Sequence, residues 1–324
     1  MTSATRTSAS RGVSLGRGLK FVLQLYAGCV FSGSPWTGGL LLLATLFAPW
    51  PALLGLAAVS SALYTARALH LLSDKSPAAV YTYSALFVGL IAARTFADPG
   101  VALAFALLGA ATSALMTASL RELGQRFALP ALSMPFVAVY LCALGTGRVL
   151  SLAWADAPPA THSFFAEHLP ALARVYLEAL GAVVCDGRAE VGLLVLASLL
   201  ASSLHTALLP TLGFAVALSV SQLLHLAPAL QLTLLLNAMF TALALGSSQR
   251  PGSAHAYTLA ALGALFCSLC TPSLSAPLAR IALSPLSLPF NLSFYVVLLL
   301  ARQRNQPAPT GASTHSVIAY RTPQ

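Results

Sequence analysis

Charge is what this sequence lacks: only 8% of its 324 residues are charged, and only eight are acidic. A soluble domain carries about 25% charged residues, so this chain cannot build an ordinary water-facing surface. Its formal charge is +9, but the basic residues sit at the ends and between apolar runs. A nucleic-acid face would need them clustered on one folded surface, so no nucleic-acid partner is expected. Five cysteines are too few for a disulfide scaffold of this length. Neither His-Glu-x-x-His, Gly-x-Ser-x-Gly nor a Walker loop occurs, so no enzyme, ATP-driven pump or bound cofactor is expected. Cys267-Ser-Leu-Cys270 has no second pair to make a zinc site and reads as two small buried thiols. The seven histidines are scattered, with a pairing of His205 and His225 left open. Ionisable pairs within the apolar runs, which ion coupling needs, are also scarce.

What the sequence has is apolar length: 57% of residues are hydrophobic and mean hydropathy is +0.81. Apolar segments fall near 18–33, 36–48, 50–72, 78–95, 99–127 and 134–152, then near 169–186, 190–204, 206–226, 228–247, 255–282 and 284–301. A helical span takes about 20 such residues. The runs are continuous rather than alternating, which excludes a transmembrane β-barrel. Prolines 35, 49, 51, 77, 99, 130 and 135 separate the segments of the first half, because proline removes a backbone donor and clashes with the preceding turn. The expected fold is therefore an all-α polytopic membrane protein.

Arg6, Arg11, Arg17 and Lys20 precede the first segment without an acid, and Arg302, Arg304 and Arg321 follow the last. The stretch between the halves holds Asp156 and Glu167 and no Lys or Arg. The positive-inside rule puts both termini in the cytoplasm and the linker outside. Each half then crosses an odd number of times. Six segments with five crossings fit, the sixth being a re-entrant half-helix. The first segment has no small-residue cleavage site after it and is expected to be retained. The expected organisation is a cytoplasmic tail over 1–17, a first repeat over 18–152 and an external linker over 153–168. A second repeat over 169–302 and a cytoplasmic tail over 303–324 complete it.

The halves resemble each other. Leu129-Pro-Ala-Leu-Ser-Met-Pro-Phe136 returns 154 positions later as Leu283-Ser-Pro-Leu-Ser-Leu-Pro-Phe290, and Gly38 pairs with Gly192 at that offset. After a one-residue slip, Tyr83-Ser-Ala-Leu-Phe87 matches Leu236-Asn-Ala-Met-Phe240. Two odd-crossing copies must be inverted relative to each other, and inverted repeats put a substrate site at the midplane. A duplicated scaffold without a pore is the bland alternative.

These motifs resemble the urea transporters, whose signature is Leu-Pro-x-x-Thr-x-Pro-Phe in each half. Here the first copy is Leu129, Pro130, Ser133, Pro135 and Phe136. The second keeps Leu283, Ser287, Pro289 and Phe290, with Ser284 where the family has proline. Ser34-Pro-Trp-Thr-Gly38 and Thr82-Tyr-Ser-Ala-Leu-Phe-Val-Gly89 extend the likeness, which runs over about residues 20–300. The resemblance implies a passive, channel-like conductor of urea in the cytoplasmic membrane, usually a homotrimer with one pore per subunit. It also implies two inverted halves, each of five crossing helices and a re-entrant helix.

Urea is small, planar, neutral and rich in hydrogen-bonding groups, so its passage needs a flat apolar slot edged with oxygens. By the resemblance, the slot walls are Phe31, Tyr83 and Phe87 with Cys185, Leu236 and Phe240. Tyr83 with Phe87, and Leu236 with Phe240, stand four apart and share a helix face; simple helix packing is the competing explanation. Ser133 and Ser287 supply the hydroxyls at the constriction, with helix N-capping as their competing role. Where the family has a mouth Gln or Glu, this chain has Gly28 and Ala182. Gln24 and Glu178, one turn earlier, are the candidate substitutes. Against that, Gln24 could be a plain interfacial residue near Lys20, and Glu178 a partner of Arg174. Asp186 is a further substitute, set against a pairing with Arg188. Other small neutral solutes (a short-chain amide, ammonia, water) and a non-conducting sensor or scaffold stay open. Phe87 and Phe240 stacked beside the two serines would favour conduction. A midplane filled by Tyr83 would favour the scaffold.

Overall fold

The computed structural model describes residues 16, 18–73, 77–127, 129–155, 164–281 and 283–304. The remainder of both expected tails and of the linker lies outside the described residues. Among the described residues there is no strand; Phe96 and Trp154 form an isolated bridge.

The first half runs α1 (residues 18–28), α2 (Pro35–Leu46), α3 (Pro49–Ala68), α4 (Ala78–Thr95), α5 (Pro99–Gln125) and α6 (Met134–Val149). A short α7 (Phe164–His168) leads to the second half. There follow α8 (Ala171–Gly181), α9 (Ala189–Ser202), α10 (Leu204–Leu223), α11 (Pro228–Ser247), α12 (Ala254–Arg280) and α13 (Leu288–Arg304). Proline opens α2, α3, α5, α6 and α11 within the first two positions, where its missing N–H and fixed φ cost nothing. Pro210, Pro272 and Pro277 lie inside α10 and α12 without ending them, as lipid-embedded helices allow when neighbours re-satisfy the freed carbonyls.

Five helices, α4, α5, α10, α11 and α12, contain stretches long and apolar enough to cross a membrane. The chain is a multi-pass membrane protein. α2, α6, α9 and α13 are shorter apolar helices. α3, α4 and α5 pack together, as do α10, α11 and α12, and α2 packs against α9. Leu54 with Gly55 of α3 closes on Gly89 of α4, and Gly213 of α10 closes on Ala238 and Met239 of α11.

Helix starts recur at the 154 offset: α2 and α9, α6 and α13 match to the residue, and α3 and α10, α5 and α12 to within one. Backbone detail recurs too. Phe31 and Cys185 both hold left-handed φ, 58° and 59°, and so do Leu132 and Leu286, 46° and 48°. A Cβ on Gly38 would strike the Leu23 carbonyl, and one on Gly192 would strike the Leu177 carbonyl. Left-handed φ in a bulky residue costs about 1–3 kcal/mol and persists only where packing imposes it. These four residues end α1 and α8 and precede α6 and α13, so they mark the places where each half bends at the molecule's centre.

Candidate functional site

The four breaks enclose a cavity of about 340 Å³. Gly28, Cys29 and Phe31 come from the end of α1, and Tyr83, Phe87 and Ile91 from successive turns of α4. Leu132, Ser133 and Phe136 start α6. The second half repeats the plan with Ala182, Val183 and Cys185, then Leu236, Asn237 and Phe240, then Leu286, Ser287 and Phe290. The cavity thus holds Phe31, Tyr83, Phe87, Cys185, Leu236, Phe240, Ser133 and Ser287, all of which the sequence singles out. Phe87 and Phe240 do not stack on each other. Phe87 sits 5.8 Å from Phe136 and Phe240 sits 6.1 Å from Phe290, centroid to centroid, so each aromatic wall is built within its own half.

Two polar residues hold the bends open. Ser84 Oγ donates to the Leu132 carbonyl at 3.3 Å. Asn237 Nδ2 donates to the Leu286 carbonyl at 2.8 Å, while its Oδ1 accepts from Phe290 N at 3.0 Å. These residues match each other after the one-residue slip, and their function lies in the carbonyls that a left-handed leucine turns toward them. Sequence reasoning quotes them only as part of the match.

At the cavity wall the two halves meet hydroxyl to hydroxyl. Ser133 Oγ and Ser287 Oγ are 2.9 Å apart. Ser133 is the N-cap of α6 yet its side chain makes no capping bond, because Oγ is engaged across the centre instead. Asn291, fully buried one turn into α13, donates from Nδ2 to Ser133 Oγ at 2.9 Å and to the Ser287 carbonyl at 2.6 Å. Sequence reasoning misses Asn291. The signal was available, since its 154-offset counterpart is the apolar Val137.

The mouth candidates separate. Gln24 lines a second cavity of about 550 Å³, with Arg121, Gln125 and the 129–132 turn, and this vestibule shares Gly28, Tyr83 and Leu132 with the central cavity. Glu178 lines neither; its Oε1 lies 3.9 Å from Arg174 Nε, both side chains part-exposed. Asp186, 4% exposed, is held by Arg188 at 2.6 Å and by Arg94 of α4 at 2.9 Å. His205 pairs with Tyr257 at 3.0 Å rather than with another histidine. Among the described residues no cluster of three His, Cys, Asp or Glu could hold a metal, and the cysteines there are free thiols.

Chemically, the site is a mainly apolar chamber whose polar lining is the Ser133–Ser287 hydroxyl pair, with the Asn291 amide behind it, and the side chains of Tyr83 and Asn237. It has no nucleophile–base pair and no ionised group on its walls. The family model described as urea transporter matches residues 19–302. No curated protein matches the chain.

Proposed function

The chain belongs to the urea transporter family, and on that premise we propose that it conducts urea passively through the central cavity, along an apolar slot with the Ser133–Ser287 pair as its polar station. Family membership supports transport of urea across a membrane, and the observation that carries the slot is that pair. Two hydroxyls from opposite halves meet on the wall of a mainly apolar cavity, 2.9 Å apart. Urea loses its water on entering, at several kcal/mol if nothing replaces it. The hydroxyls and the aromatic faces replace that water for a flat neutral amide but not for a hydrated ion. Tyr83 and Gly28 join slot and vestibule, with Gln24 the mouth group on that side. Gly28 and Ala182 offer only backbone where the family has Gln or Glu, so the dehydration step falls on the central pair.

We further propose two inverted repeats around this slot. Trp154, just past α6, stacks on Phe96 at the end of α4, beside the start of α5. Arg302 of α13 instead donates to the Phe127 carbonyl just past the end of α5. α5 has 27 residues, so its ends lie about 40 Å apart at 1.5 Å per residue. The equivalent helices α6 and α13 therefore run in opposite directions, as inversion requires. On this reading α1 and α8 are the re-entrant helices and α2–α6 and α9–α13 the crossings. The trimer follows from the resemblance alone.

The test is urea uptake into proteoliposomes by stopped-flow light scattering. Saturable uptake at least ten times that of empty vesicles is expected; uptake equal to theirs, with the protein folded and inserted, contradicts the proposal.

A further inference from the structure

The two serines are equivalent by sequence, but their surroundings are not. Asn291 Nδ2 lies 2.6 Å from the Ser287 carbonyl. A carbonyl only accepts, so the atom facing it must be the amide nitrogen, and this fixes the orientation of the Asn291 amide. The second N–H of the same nitrogen then points at Ser133 Oγ, 2.9 Å away. Ser133 Oγ must therefore accept from Asn291. Of its two lone pairs one is taken, whereas no such donor stands in the other half, where Val137 occupies the equivalent place. Asn291 holds this position at a cost, since its Oδ1 is buried without a partner, a penalty that the apolar Val137 avoids.

We infer that Asn291 is a positioning residue that holds Ser133 Oγ and occupies one of its lone pairs, leaving the Ser133–Ser287 station one outward donor and two outward acceptors. The count follows from the chemistry of hydroxyls. The pair has two protons and four lone pairs; the bond between them uses one of each, and Asn291 uses one more lone pair. Whichever serine donates within the pair, one proton and two lone pairs remain for a ligand. That set matches the edge of an amide, whose carbonyl accepts one bond while its N–H groups donate. Urea presents this edge on both sides and short primary amides present it once. Water and ammonia gain less from this restricted set, because each reorients to suit whatever donors and acceptors it meets. The site is thus tuned to the amide class, an inference that rests on conduction through the cavity proposed above.

Threonine at 291 separates positioning from structural support. In this protein Thr82, Thr95, Thr117, Thr241 and Thr271 each donate to the carbonyl four residues back. Asn291→Thr will do the same with the Ser287 carbonyl, keeping that bond and removing only the one to Ser133. Asn291→Val, copying the first half, is the second variant should threonine fail to insert. In proteoliposomes, urea and acetamide permeability of Asn291→Thr should fall about tenfold, as expected for one lost hydrogen bond, while water permeability falls less than twofold. In a Ser133→Ala background, Asn291→Thr should cost less than a further twofold, because Asn291 acts through Ser133. Urea permeability within twofold of wild type, a parallel fall for urea and water, or a full additional loss from Asn291→Thr in the Ser133→Ala background each overturns the inference. Wild-type protein that is inserted but passes no urea refutes the slot itself, and this inference with it.

Discussion

At Tyr83 the central cavity and the vestibule share one side chain, and its hydroxyl is buried without a hydrogen-bond partner. A buried unpaired hydroxyl costs about 1–3 kcal/mol relative to a phenylalanine of the same shape. Tyr83→Phe should therefore stabilise the folded protein by about 1 kcal/mol, read as a higher midpoint of thermal unfolding in detergent; a lower midpoint would show that the hydroxyl has a partner. The wall residues were reached through the resemblance to the urea transporters, within which Tyr83 with Phe87 and Leu236 with Phe240 repeat at helical spacing. Ser84, Asn237 and Asn291 were not. Their partners are carbonyls exposed by left-handed Leu132 and Leu286 and a hydroxyl brought over from the other half, and nothing in residue spacing announces those bends.

At the scale of elements, α1 meets α2 and α8 meets α9 at the two matched glycines. A methyl on Gly38 or Gly192 would collide with backbone, the carbonyls of Leu23 and Leu177, which cannot swing aside as a side chain can. Gly192→Ala should destabilise by about 2–3 kcal/mol through overpacking, and Gly38→Ala by a similar amount. Equal losses of thermal midpoint are expected, and an unchanged midpoint for either would mean that the helices separate freely there. Helix ends were largely readable: expected 78–95 and 228–247 are α4 and α11 as found, since proline at a helix start acts locally. The ends of α1 and α8 were not. The apolar runs 18–33 and 169–186 continue through Phe31 and Cys185, and hydropathy does not register a left-handed residue within an apolar stretch.

For the whole molecule, polar contacts outside the slot also tie the halves together. Ser32 Oγ donates to Ser202 Oγ at 3.0 Å. At the position 154 residues after Ser32, Asp186 gathers Arg188 from its own turn and Arg94 from the first half. Removing one member of a buried ion pair costs about 3–5 kcal/mol; here both arginines keep contact with solvent, at 22% and 27% exposure, which lowers the cost. Asp186→Asn should destabilise by about 2–3 kcal/mol, measured as thermal unfolding in detergent. Loss of less than 0.5 kcal/mol would mean that the arginines find water as readily as the carboxylate. Sequence could pair Asp186 with nearby Arg188, but not with Arg94, because that contact exists only once the halves are docked.

The central claim is that two hydroxyls, one from each half, form the polar station of a urea slot. Replacing both with alanine removes the two hydroxyls of the central pair and adds no bulk to the cavity. Stopped-flow urea permeability of Ser133→Ala with Ser287→Ala should therefore drop at least tenfold below wild type, at equal insertion, since about 1.4 kcal/mol of lost hydrogen bonding corresponds to a factor of ten. Permeability within twofold of wild type would contradict the account, because urea would then be crossing without the pair.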